Sequence, residues 1–142
     1  MNRKPFQENV GAASSFFYRM SKHNEIGALG EQLAQRFLQQ KNYTILHQNW
    51  RWRRAEIDII ALHQQKLIFI EVKTRTSNAF MKPEEAVSPA KQKRLAIAAQ
   101  AFVDNYPEPV EVRFDIVAIV LYANLTLKEI KHFEDAFFVI IS

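Results

Sequence analysis

Apolar positions along this chain fall first at helical and then at strand spacing. From Glu25 to about Lys41, the residues Ile26, Leu29, Leu33, Phe37 and Leu38 recur every three or four positions, with Gln32, Gln35, Arg36 and Gln39 opposite them. That pattern predicts a helix packed along one side. At about 100° per residue, Glu31 falls on the border of the apolar stripe beside Gly27, Ala34 and Leu38, where small neighbours let another backbone come close. Tyr43 to Asn49 has the composition of a first strand. Glu56 to Leu62 and Lys66 to Thr74 are two further strands rich in Ile and Val, joined at His63-Gln64-Gln65, and they read as a hairpin. Arg75 to Pro83 is a loop. Ser88 followed by Pro89 is an N-cap with proline at the first helical position, opening a helix to Asn105 that Pro107 and Pro109 stop. Val110 to Tyr122 is a long apolar strand, Leu125 to Phe133 a last strand, and Glu134 to Ser142 a tail with no assigned form. Elements of both kinds within 25–142 predict one α/β domain. Residues 1–24, with Arg3, Lys4, Arg19, Lys22 and the cluster Phe16-Phe17-Tyr18, read as a mobile basic arm without the apolar core of a secretory signal.

Composition narrows the classes. With 142 residues, 48% of them hydrophobic and 24% charged, the chain can bury a core that needs no covalent staple. The absence of cysteine excludes disulfide scaffolds, thiolate nucleophiles, Cys-ligated zinc and iron–sulfur sites. Apolar runs such as Ile116 to Tyr122 are too short to cross a bilayer, so no membrane partner is expected. The net charge of +4 is unevenly placed: 16 basic and 8 acidic side chains up to Val103 give +8, and 3 basic with 7 acidic after it give −4. A concentration of cations suits either a polyanion, most often nucleic acid, or a solvated basic face.

The hairpin carries the candidate chemistry. Strands this apolar should exclude charge, yet Glu56, Asp58, Glu71 and Lys73 are written into them. Period-two alternation puts Glu56 and Asp58 on one face of their strand, with Ile57 and Ile59 on the other, and puts Glu71 and Lys73 with Phe69. Closing the turn on Gln64-Gln65 sets Asp58 opposite Glu71 and Glu56 opposite Lys73. The second is an ion pair; the first is a like-charge contact that destabilises an antiparallel pair. Either a divalent cation neutralises it, with the Val72 carbonyl as a further ligand and Lys73 poised nearby, or the four charges are the solvent face of a half-exposed sheet.

Asp58 followed at a distance by Glu71-Val72-Lys73 resembles the Asp…Glu-x-Lys motif of the restriction-endonuclease-like nuclease superfamily. The chain is more closely similar to the YraN-like family of bacterial proteins. The matching residues are Gly27, Gly30, Glu31 and Ala34, then Glu56-Ile57-Asp58, Phe69-Ile70-Glu71-Val72-Lys73-Thr74-Arg75, Glu85-Ala86-Val87, Lys91 with Arg94, Arg113-Phe114-Asp115, and Asp135-Ala136-Phe137. The likeness spans roughly residues 25–137. One position departs: Ala55 stands where the family has glycine before Glu-Ile-Asp, and a left-handed backbone there would be strained by alanine. A looser similarity to archaeal Holliday-junction resolvases rests on Glu31, Asp58, Glu71 and Lys73 in that order.

The resemblance implies a mixed sheet of four or five strands flanked by helices, and cytoplasmic, Mg²⁺- or Mn²⁺-dependent hydrolysis of phosphodiesters in DNA, including branched or structured DNA. It implies that Asp58 and Glu71 hold the metal, that Glu31 orients a water or completes a second site, and that Lys73 positions the attacking water and offsets charge on the phosphate; Glu31 reads equally as a helix-surface carboxylate near an N-terminus. Lys91 lies on the core-side stripe of its helix with Leu95, Ala98 and Phe102, either as a phosphate-binding or supporting residue or as a snorkelling lysine. Arg51, Arg53, Arg54 and Arg75, with Trp50 and Trp52, form the strongest nucleic-acid surface in the sequence, joined by Arg94; the indoles are either stacking platforms or core rings. Arg113 and Asp115 share a face and read as a structural pair. The four histidines show no ligand spacing and are assigned nothing. Cutting two strands would suit a two-fold homodimer. The competing functions are a non-catalytic nucleic-acid-binding module and an interaction protein that docks through its acidic final third.

Overall fold

Five strands form one mixed sheet in the computed structural model, which describes residues 11–76 and 87–138. Strands β1 (Thr44–Trp52), β2 (Ala55–His63) and β3 (Lys66–Arg75) follow one another antiparallel. Beyond β3, helix α2 (Pro89–Asp104) crosses over and returns the chain as β4 (Glu111–Leu121), parallel to β3; β5 (Leu127–Phe137) then lies antiparallel on β4. Helix α1 (Gly11–Gln40) precedes the sheet. The α/β architecture and the five-stranded mixed sheet with flanking helices agree with the expected class. The predicted positions on 1–10, 77–86 and 139–142 lie outside the described residues.

Each helix covers one face. Leu95, Ala98 and Ala99 of α2 pack with Ile60, Leu67, Phe69, Phe114 and Ile116. Ala34 and Leu38 of α1 pack with Ile59, Ala61, Ile68, Ile70, Val117 and Ile119. The central strands β3 and β4 are therefore buried on both sides, which is why they read as near-continuous apolar runs. Ser88 caps α2 as expected, its side chain accepting the Lys91 N–H. Among the described residues, no helix is long and apolar enough to cross a membrane.

Three boundaries differ from expectation. Helix α1 begins at Gly11 rather than Glu25, because residues 12–24 contain neither glycine nor proline to stop it; the part of the basic arm from Gly11 onward is thus helical backbone. Strand β1 runs on through Trp52, leaving Arg53 and Arg54 as a two-residue turn closed by Trp52 opposite Ala55. Strand β5 extends to Phe137, so half of the tail expected from Glu134 pairs with β4.

Gly30 fixes the height of α1 above the sheet. A Cβ built there would lie 1.8 Å from the Thr74 Oγ1 and 2.7 Å from its Cβ, so only glycine lets the helix approach β3 this closely. Gly27, by contrast, meets nothing within 4 Å. The close approach at Gly30 brings the next residue, Glu31, over the end of the β2–β3 hairpin.

Candidate functional site

The β2–β3 hairpin adopts the register read from its sequence. His63 opposes Lys66, and the pairing continues through Ile60 with Phe69 to Ile59 with Ile70. Gln64 and Gln65 both take left-handed backbone, with φ 50 and 65, as a two-residue turn of the primed type demands, although neither is the glycine or asparagine such turns favour. The ladder stops at Ile59 and Ile70, one step short of Asp58 and Glu71. From there β2 stays with β1 while β3 stays with β4, so the sheet forks. The like-charge pair identified in the sequence stands where the strands part.

The fork is held by side chains in place of ladder bonds. The Val72 N–H donates to Asp58 Oδ2 at 2.8 Å, closing the gap with a carboxylate. In an extended strand the N–H and C=O of one residue leave on the same side, so the Val72 carbonyl faces the same gap. Glu71 is only 6% exposed; its Oε1 accepts the Lys91 Nζ and lies 3.7 Å from the Lys73 Nζ. That answers the oddity of a lysine on the inner stripe of α2: its ammonium serves a buried carboxylate.

Glu56 does not pair with Lys73 as the simple alternation required. It binds Arg51 at 2.8 Å, and its carboxylate gathers with those of Glu31 and Asp58, ligand atoms of the three lying within 4.8 Å of one another. The cause is a break in alternation at Asp58. Ile57 packs with Ile60 on the α2 side, while Ile59 packs on the α1 side, so the strand does not keep period two through this point. Opposite Asp58, between the pairs Trp50 with Ile57 and Gln48 with Ile59, sits Asn49 with φ 50, a left-handed residue in the neighbouring strand. The placement of Ile57 and Ile59 on one face is thereby corrected. Glu56 and Asn49 were not among the predicted site residues. Asn49 belongs to the residue types that tolerate this backbone, a signal too weak to place it from sequence.

The electrostatics follow. Burial, then the charge of Glu71, raises the Asp58 carboxyl from its ordinary value to about 8; the Val72 N–H opposes this, and the Glu31 charge adds to it. Glu31 is also raised, mainly by burial, with Glu56 and Glu71 contributing and a hydrogen bond to Asn49 opposing. The fork thus holds Asp58 and Glu31 where burial and neighbouring carboxylates disfavour their charged forms. Oxygen ligands from carboxylates and a backbone carbonyl are the donor set that hard divalent cations take, so the residues fit Mg²⁺ or Mn²⁺.

Cations surround this acid. An open cleft of about 310 Å³ is lined by Arg54, Ala55, Glu56, Asp58, Glu71, Lys91, Arg94 and Leu95. On the other side of Glu31, a groove of about 550 Å³ runs past Gln32, Gln35, Gln48 and Asn49. Of the predicted nucleic-acid contacts, Arg54, Lys91 and Arg94 line the cleft, Arg51 is tied to Glu56, Arg53 lies over the Trp52 ring at 5.5 Å, and Arg75 is exposed at the end of β3. The two indoles part company. Trp50 packs edge-on against Phe102 at 5.3 Å, whereas Trp52 is exposed. Ala55 takes no left-handed φ; the strained residue of that turn is Arg53, at φ 55.

Arg113 and Asp115 form the structural pair expected of them, away from the fork. Asp115 is fully buried and accepts two bonds from Arg113, at 2.8 and 2.9 Å. It also bonds His132 Nε2 at 2.7 Å and the Asp135 N–H at 3.0 Å. Despite burial, these partners hold its carboxyl below the ordinary value. His132, given no role in the sequence reading, is part of this lock.

Comparison with known proteins places the same residues inside a shared stretch. Residues 30–119 match the uncharacterised protein family UPF0102, a span that contains Glu31, Asp58, Glu71, Lys73, Lys91 and Asp115. A UPF0102 protein of Flavobacterium psychrophilum is 44% identical over 119 residues, covering 84% of this chain and 98% of the relative. A UPF0102 protein of Chlorobium phaeobacteroides is 46% identical over 119 residues, covering 80% and 94%, and one of Parabacteroides distasonis is 40% identical over 119, covering 84% and 97%.

Proposed function

The chain belongs to the UPF0102 family, and from that footing we propose that it is a cytoplasmic, metal-dependent nuclease that hydrolyses phosphodiester bonds in DNA. The observation that carries the reading is the fork, where Asp58 and Glu71 meet in a part of the sheet that gives up its ladder bonds to hold them. A structural role would leave such a like-charge contact on the surface or replace it; here Glu71 is buried, Asp58 is half-buried, and Lys73, Lys91, Arg54 and Arg94 stand around them.

Asp58, Glu71 and the Val72 carbonyl would hold a divalent cation, with Glu31 and Glu56 completing the acidic set around Asp58. Bound there, Mg²⁺ or Mn²⁺ supplies a Lewis acid for the phosphoryl group. Lys73 lies beside Glu71, positioned to hold a water and to offset charge that grows on the phosphate oxygens. Lys91 neutralises Glu71 from the helix side and keeps its carboxylate oriented. Arg54 and Arg94 line the cleft where the phosphate backbone enters. Where both strands are cut, two copies related by a two-fold axis would act together.

A cleavage panel of duplex, flap, junction and single-stranded DNA with Mg²⁺ or Mn²⁺ tests this, run beside Asp58→Ala and Lys73→Ala proteins. Activity lost in both variants supports the reading; activity that survives both belongs to a contaminant and refutes it. A second reading is a binding module without turnover, favoured by one observation: Glu71 Oε1 already holds a lysine. Steeply salt-dependent DNA binding with no cleavage under any metal would establish that alternative.

A further inference from the structure

The β1–β2 turn is built against its own convenience. A two-residue hairpin turn favours asparagine and glycine, yet Arg53 and Arg54 occupy it, with Arg53 in left-handed backbone at φ 55. Beside them Trp52 is 37% exposed, one face of its ring under the Arg53 guanidinium at 5.5 Å. Arg51, the preceding residue, leaves the strand on the opposite face and is paired there with Glu56 at 2.8 Å. Two residues earlier, Trp50 is packed against Phe102, so the sheet does have an apolar berth for an indole, and Trp52 is not in it. Arg51 answers to Glu56, but the packing of the fold gives no reason for the exposed ring or for the two arginines of the turn.

We infer that this hairpin tip is a stacking platform on which the exposed ring of Trp52 receives an unpaired DNA base, next to the cleft, while Arg53 and Arg54 hold the flanking phosphates. The inference rests on the nuclease reading and narrows its substrate to DNA with a boundary between paired and unpaired strands. An indole stacks on a base only where a face is bare, and bases inside a duplex offer their edges alone. Charge complementarity singles out a nucleic-acid strand as the occupant. Trp52 opposes Ala55, three positions along β2 from Asp58, a separation of about 10 Å at roughly 3.3 Å per residue. At about 3.4 Å per stacked base, the bound base lies about three nucleotides from the phosphodiester at the fork.

The test separates this inference from the one beneath it. Affinity is measured with full-length Asp58→Asn protein, which is not expected to cut, for a duplex with a single-stranded tail and for the same duplex without it. Trp52→Ala is expected to weaken binding to the tailed DNA about tenfold and to leave the plain duplex within about twofold, with Trp52→Phe restoring most of the loss. In a Trp50→Phe background, Trp52 is the one remaining indole, and its emission is expected to be quenched by tailed DNA alone. Where the protein with Asp58 intact cleaves, cuts are expected about three nucleotides from the boundary and scattered in Trp52→Ala. Equal loss for both DNAs, or no loss, overturns the platform even if cleavage is found; selective loss without any cleavage upholds the platform and removes the nuclease.

Discussion

Asp58 and Asp115 are the same residue type, both withdrawn from solvent in one sheet, yet their protonation is driven in opposite directions. Asp115 is met by Arg113, His132 and the Asp135 N–H, so its carboxylate is stabilised and its pKa falls. Asp58 is driven up by burial, and the carboxylates of Glu71 and Glu31 add to this against a single backbone N–H, so its pKa climbs to about 8. The first arrangement closes every account within the fold. The second leaves charge for something else to balance. Burial of a carboxylate does not by itself mark a functional site; the identity of its neighbours does.

The largest effect expected from breaking this contrast is on the satisfied side. Asp115→Ala removes the main partner of the Arg113 guanidinium, which is 16% exposed and keeps only the Tyr43 hydroxyl and a 3.9 Å contact with Glu134, and should cost about 3 kcal/mol, read as a fall in the midpoint of denaturant unfolding. Asp58→Asn should have the reverse profile. It keeps an acceptor for the Val72 N–H and removes an uncompensated charge, so the metal-free protein at pH 8 should gain stability, while cleavage in the assay above falls at least about 100-fold. A variant that loses both stability and cleavage would erase the distinction between the two aspartates.

Gly30→Ala tests whether the fork depends on the height of α1. The added methyl collides with Thr74 and should cost about 1–3 kcal/mol, with cleavage falling further than the loss of folded protein explains, because Glu31 moves with the helix. The pH dependence of stability without metal sharpens the same contrast. Asp115 has a folded pKa below its unfolded one, so its contribution is present above about pH 4 and is lost as the pH falls. Asp58 has a folded pKa above its unfolded one, so its contribution is full below about pH 4 and is lost as the pH rises through about 8. Each limb has a slope of at most about 1.4 kcal/mol per pH unit, and Asp115→Asn should flatten the acid limb while Asp58→Asn flattens the alkaline one.

Much of the fork was legible because its signals are local. A strand pair closed by a two-residue turn has its register set by counting; a lysine on an apolar stripe marks itself as unusual, although whether it supports the site or snorkels is decided only by Glu71 across the sheet. Arg113 and Asp115, alternate residues on one strand, were legible as a pair for the same reason. Glu56 was misassigned because alternation assumes unbroken strands, and the break at Asp58 answers to Asn49 on a different strand. His132 was passed over because its partner lies 17 residues away and no spacing rule reaches that far. The start of α1 was missed because the stretch before Glu25 has no stripe to mark it, only an absence of breakers.

The crossover between β3 and β4 sets an order of events during folding. A hairpin such as β2–β3 closes in about 1–10 μs from neighbouring residues, whereas Lys91 arrives only once α2 has been laid across the sheet and β4 has docked in parallel. For that interval Glu71 has Lys73 beside it on the same strand but not the ammonium of Lys91. Lys91→Met should therefore hasten unfolding while leaving the folding limb of a chevron nearly unmoved, since the contact it deletes forms after the barrier. The corner therefore draws one ammonium from its own strand and the other from the crossover helix, so the full charge set around Glu71 is complete only when the sheet is.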